Sequence, residues 1–157
     1  MNASSAGANV VLVHGAFVDG SGWRPISLIS EFPADTPQMP GLPPRDGFIF
    51  QDPDKFHASF GADLPTDLAA FMVDSEKPWG VDCAAGTVTD PAWRVKPSWY
   101  LVTTEDRMIP PAAQRTMSQR TGSTVVEVTA SHSVYVSQPA AVVSLIKQAA
   151  SAVATQQ

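Results

Sequence analysis

The feature that most constrains this chain is a strand–helix–strand–helix alternation in its last third. Trp99-Tyr-Leu-Val-Thr103 is an aromatic and β-branched run that predicts a strand. Pro110 to Arg120 predicts a helix opened by proline and closed by Gly122. Thr124-Val-Val-Glu-Val128 predicts a second strand. Gln138 to Val153 predicts a last helix, with Pro139 in its first turn and Val142, Val143, Leu145, Ile146 and Ala149 as its core face. Such alternation makes parallel βα units, so the expected fold class is α/β with a small, mostly parallel sheet flanked by helices.

The same grammar opens the chain. Val10 to Val13 is a continuous aliphatic run that suits a strand buried on both faces of a parallel sheet. Gly15, Gly20 and Gly22 allow a sharp turn, and Trp23 to Ser30 reads as a short helix with Pro25 in its first turn. Composition changes at Glu31. Pro33, Pro37, Pro40, Pro43, Pro44 and Pro53 preclude a regular helix and predict an extended, irregular connection. Asp54–Phe60 and Thr66–Asp74 read as two short helices. Thr66 is the expected N-cap of the second, with Leu68, Phe71 and Met72 as its apolar face. Residues 75–96 are loop-like. The expectation is one domain over residues 1–157, divided into 9–30, 31–96 and 97–153.

Bulk properties exclude several functions. With 157 residues, 44% of them hydrophobic, the chain is long enough for one sizeable core. A net charge of −5 and the lack of a basic stripe argue against nucleic acid as a partner. Cys83 is the single cysteine, so no internal disulfide forms and no cysteine-based zinc site is expected. No cofactor is expected. The apolar runs are too short to span a bilayer. Residues 1–8 carry neither a basic region nor a long apolar region, so the expected location is the cytoplasm. No internal repeat is visible.

Two residues at predicted strand ends carry chemistry. Asp106 lies just past the Trp99 strand, in Thr103-Thr-Glu-Asp-Arg-Met-Ile-Pro110. His132 lies just past the next strand, in Thr129-Ala-Ser-His-Ser133. Open α/β sheets place their chemistry at the C-terminal ends of the strands. A carboxylate there accepts from an imidazole N–H, sets its tautomer and stabilises its charged form.

With these residues in view, the chain resembles the α/β-hydrolase superfamily, especially the small esterases that include plant methylesterases and hydroxynitrile lyases. The Val13-His-Gly-Ala16 turn matches that family's first oxyanion segment, Asp106 its acid and His132 its base. Pro139 opening the last helix fits too. The resemblance covers residues 9–30 and roughly 43–150, and is looser over 43–96, where the family carries its lid. It implies that the Ala16 backbone N–H helps hold a tetrahedral oxyanion. It also implies that His14 braces the turn rather than moving protons.

The departure from the family is large. The family's nucleophile sits on a Gly-x-Ser-x-Gly elbow, and no such motif occurs in this chain. Ile29-Ser30 is followed at once by Glu31-Phe-Pro-Ala-Asp35, as if one central block holding the nucleophile and the second oxyanion donor had been removed. Substitutes are few. Ser21 reads as a helix cap. Ser59, in His57-Ala-Ser-Phe-Gly61, lacks the first glycine and a preceding strand. Ser131 and Ser133 are expected to bond locally to backbone. Cys83 has no neighbour in sequence that lowers its pKa, and His57 reads as an exposed lid residue.

In the family, the first strand and the Trp99 strand stand three spacings apart, about 14 Å. Removing the strands between them leaves unpaired edges, which are costly. The expected remedy is closure of the Val10 strand against the Trp99 strand, and a homodimer through open sheet edges is the competing arrangement. Three functions follow as hypotheses. The first is a protein of ester-hydrolase ancestry with little or no serine-esterase activity. The second is an active carboxylic-ester hydrolase with a non-standard nucleophile. The third is a non-catalytic module that binds a small apolar ester or acid.

Overall fold

A computed structural model of the protein describes residues 41–82 and 90–154. The expected Val10–Val13 strand, the turn with His14 and Ala16, Ser21, the Trp23–Ser30 helix and Cys83 lie outside the described residues.

The proline-rich stretch is extended, as its composition demands, but it contains a tight reversal. Arg45 and Phe48 exchange backbone hydrogen bonds of 2.8 and 2.9 Å. Between them Asp46 and Gly47 have φ of 52° and 80°. Positive φ at both central positions gives the hairpin turn whose twist suits antiparallel strands, and Asp-Gly tolerates it. The turn leads into β1 (Phe48–Ile49), which pairs antiparallel with β2 (Trp79–Gly80). The loop-like stretch 75–96 thus contributes one short strand, and also a single 3₁₀ turn at Ala92–Arg94.

Helix α1 (Pro53–Phe60) begins at Asp52, whose carboxylate accepts the Asp54 N–H at 3.1 Å. Helix α2 (Thr66–Ser75) corrects two expectations. Its first bond runs from the Ala69 N–H to the Pro65 carbonyl at 3.0 Å, so Pro65 is the N-cap and Thr66 is already helical. Its inward face is Ala69 with Met72 and Val73, whereas Phe71 is 67% exposed. The small Ala69 side chain lets α2 approach α1 closely, and this choice of face turns Phe71 outward.

The C-terminal alternation forms as expected. β3 (Trp99–Thr103) pairs in parallel with β4 (Thr124–Val128), in register Trp99↔Thr124 through Thr103↔Val128. Between them runs α3 (Pro111–Arg120), with Pro110 at its N-cap. It closes at Gly122, whose φ is 62°. There the Gly122 N–H donates to the Gln119 carbonyl and the Ser123 N–H to the Ser118 carbonyl, both at 3.1 Å. These paired bonds use up carbonyls that the helix end would leave orphaned. A short helix, α4 (Val134–Ser137), precedes the last one, α5 (Pro139–Ala154).

The expected core face of α5 needs correction. Val142, Leu145, Ile146 and Ala149 are half-buried, and Val143 is exposed. Among the described residues the sheet beside it has two strands, about 5 Å apart, a ribbon narrower than the roughly 10 Å diameter of a helix with its side chains. The buried core lies elsewhere. Phe56, Phe60, Ala69, Met108, Ile109, Ala113 and Met117 join α1, α2 and α3 to the loop after β3. The Phe56 and Phe60 rings stack with centroids 4.7 Å apart.

Because Phe56 is 2% exposed at the centre of this cluster, Phe56→Ala is expected to cost about 3–5 kcal/mol in urea unfolding. Phe71→Ala is expected to shift stability by no more than about 0.5 kcal/mol.

Candidate functional site

Two loops at the C-terminal ends of β3 and β4 build the site. Backbone bonds hold them together: the Thr104 N–H donates to the Val128 carbonyl at 2.9 Å, and the Glu105 N–H to the Ala130 carbonyl at 3.1 Å. Asp106 follows on the first loop and His132 on the second. The structure places His132 Nδ1 2.8 Å from Asp106 Oδ2, with the two side chains 8% and 3% exposed. A carboxylate oxygen is the acceptor here, so Nδ1 carries the proton and the tautomer is set.

The Asp106 carboxylate accepts from five donors. Oδ1 takes the backbone N–H groups of Met108 at 2.8 Å and Ile109 at 2.9 Å. Oδ2 takes the Thr103 hydroxyl at 3.0 Å, Gln114 Nε2 at 2.9 Å and the imidazole. Gln114 is 3% exposed on the inner face of α3. Its Oε1 accepts the Thr103 N–H at 3.0 Å, and its Nε2 also donates to the Ile109 carbonyl at 2.8 Å. Since the Thr104 N–H points to β4, the Thr103 N–H points to the other edge of β3, where this amide covers it.

The His132 turn is pinned to the end of α1. The Phe60 carbonyl accepts the Ser133 N–H at 3.0 Å, the Ser133 hydroxyl at 2.9 Å and the Ser131 hydroxyl at 3.3 Å. The Phe60 ring meets the imidazole edge-on, with centroids 4.6 Å apart and planes at 63°. The Asp63 carboxylate accepts the Ser131 N–H at 3.1 Å and also the Ser131 hydroxyl. Burial pushes the Asp63 carboxyl up, but hydrogen bonding, first from Ser131 and then from Ser137 and its own backbone, outweighs it and leaves the group below its ordinary value. Burial raises the Glu76 carboxyl, against the opposing influence of His132. Burial, reinforced by the charge of Asp106, pushes the Tyr100 phenol up to about 12.

Of the serines weighed as nucleophiles, the three among the described residues, Ser59, Ser131 and Ser133, are engaged as helix or turn hydroxyls. Ser59 is buried in α1 and donates to the Lys55 carbonyl at 2.7 Å. Ser131 and Ser133 bond as just described. His57, expected to be exposed, is half-buried with Nε2 2.9 Å from the Leu64 carbonyl. The five residues Gln114, Thr103, Phe60, Asp63 and Ser131 around the pair were not singled out from the sequence as its supports. Only Gln114 leaves a trace there, as a polar residue between Ala113 and Met117 on the apolar side of a helix. Among the described residues no group of three or more His, Cys, Asp or Glu could hold a metal ion. No helix among them is long and apolar enough to cross a membrane.

A family model described as the alpha/beta hydrolase family matches residues 30–145, most of the chain. Neither a curated protein nor a solved structure gives a match.

Asp106→Ala would leave buried donors without an acceptor, so it is expected to cost about 3–5 kcal/mol in urea unfolding. Asp106→Asn, which keeps an oxygen for the Met108 and Ile109 N–H groups, should cost less.

Proposed function

The chain belongs to the alpha/beta hydrolase family, and from that premise we propose that it descends from an ester hydrolase and keeps the acid and base without the serine nucleophile. Asp106 is the acid and His132 the base. The observation that carries this reading is the 2.8 Å contact between two buried side chains on adjacent strand ends. In a working hydrolase such a base takes the proton from a serine hydroxyl, and the acid holds the imidazolium that forms. The sequence supplies no Gly-x-Ser-x-Gly motif to receive that help. Ser59 bonds within its own helix, and Ser131 and Ser133, expected to bond locally, instead give their hydroxyls to the Phe60 carbonyl some seventy residues away; both engagements favour the same view. Ala16 remains the family's candidate oxyanion donor.

A cavity of about 270 Å³ supports a secondary reading as a small-molecule site. It is lined by Leu42, Pro43, Phe50 and Val73, with Arg45 and Glu76 at its polar side. It is open to solvent, and Gln51 and Lys77 add to its polar side. Binding without turnover is the behaviour this arrangement favours.

Hydrolysis of p-nitrophenyl acetate and butyrate is expected at the buffer rate, and His132→Ala should alter it by less than about two-fold, because a base without a nucleophile has nothing to activate. Robust turnover that His132→Ala abolishes would overturn the proposal.

A further inference from the structure

The structure assigns to Asp63 the role of a positioning residue for His132: a second carboxylate, on the segment between α1 and α2, that holds the base's turn through Ser131. The inference rests on the reading of His132 as the base. Asp63 does not touch the imidazole. It grips the preceding residue at both available donors, the Ser131 N–H at 3.1 Å and the Ser131 hydroxyl. Ser131 is 1% exposed although Asp63 lies at the surface. The carboxylate therefore reaches inward to a buried turn, where a charged acceptor makes a stronger bond than a neutral one.

Geometry explains why a second anchor matters. Among the described residues several groups outside its own strand hold the His132 turn, the Glu105 N–H on the Ala130 carbonyl among them. Asp106 holds the imidazole at Nδ1. The Phe60 carbonyl holds Ser133 from one side of the histidine. Asp63 holds Ser131 from the other. Fixing the residues before and after His132 fixes the direction of its Cα–Cβ bond, which the Asp106 contact alone leaves free to swing. The Ser131 hydroxyl divides its proton between the Phe60 carbonyl and Asp63, so the two anchors share one element. Asp63 contributes stability, since without it the buried Ser131 N–H loses its acceptor, and beyond that it contributes orientation.

The test is nuclear magnetic resonance of the full-length, ¹⁵N-labelled chain, reading the imidazole ¹⁵N shifts of His132 and the solvent exchange of its Nδ1 proton. Asp63→Ala is expected to speed that exchange roughly ten-fold and to move the ¹⁵N shifts toward a tautomer mixture. Asp63→Asn keeps one oxygen for the Ser131 N–H and should recover part of the wild-type signal. Met117→Ala, a core substitution on α3 rather than at the turn, should change the imidazole signals less than Asp63→Ala does. Unchanged His132 signals in folded Asp63→Ala would overturn the inference. If Asp63→Ala does not fold, Asp63→Asn decides, and wild-type His132 signals there would overturn it. An equal change in Met117→Ala would also overturn it, since the signal would then track stability and not orientation. Wild-type protein whose His132 lacks a proton on Nδ1 would instead defeat the reading of the acid–base pair itself.

Discussion

The Asp106 carboxylate sits where β3, the start of α3 and the turn after β4 meet, and each of these depends on it for a hydrogen bond. Taking a carboxylate out of water costs several kcal/mol, so a site like this persists only when donors surround the charge. Two of its donors are the N–H groups of Met108 and Ile109, and the turn they close sends those two side chains into the core. Core and site are therefore joined through Met108 and Ile109, which give their N–H groups to Asp106 and their side chains to the core. A third donor, Gln114, also accepts the Thr103 N–H on the side of β3 away from β4, so one buried amide serves both Asp106 and the strand.

The His132 imidazole is supported from a different direction. Phe60 closes α1, stacks on Phe56 in the core, presents its ring to His132 and lends its carbonyl to Ser131 and Ser133. The helical segment that leads into the site is thus part of its scaffold. Asp106 is set by local turn geometry, whereas His132 is set by contacts some seventy residues away in sequence. That difference determines what a linear reading can find.

The alternation of β3, α3, β4 and α5 was legible because each element carries its own signal: β-branched runs, prolines at helix starts and Gly122 at a helix end. The pairing of Asp106 with His132 was legible because strand-end placement follows from that alternation. The Asp46-Gly47 reversal carried a recognisable turn signal that the surrounding prolines masked. Phe71 was set on the wrong face because bulk suggested burial, while Ala69, the residue that permits close approach, took that place. Asp63 and Phe60 had no linear signal at all, because their roles exist only once α1 lies against the turn after β4. The oxyanion turn at Ala16 and the pairing of the Val10–Val13 strand lie outside the described residues.

What separates an acid–base pair from a working triad is a reactive serine, and a fluorophosphonate reports on that directly. Such probes form a stable adduct only with a hydroxyl that a base has activated. Intact-mass spectrometry of the folded protein after treatment with a fluorophosphonate is expected to show no adduct. A stoichiometric adduct on one serine, lost in His132→Ala, would contradict the account and identify the nucleophile.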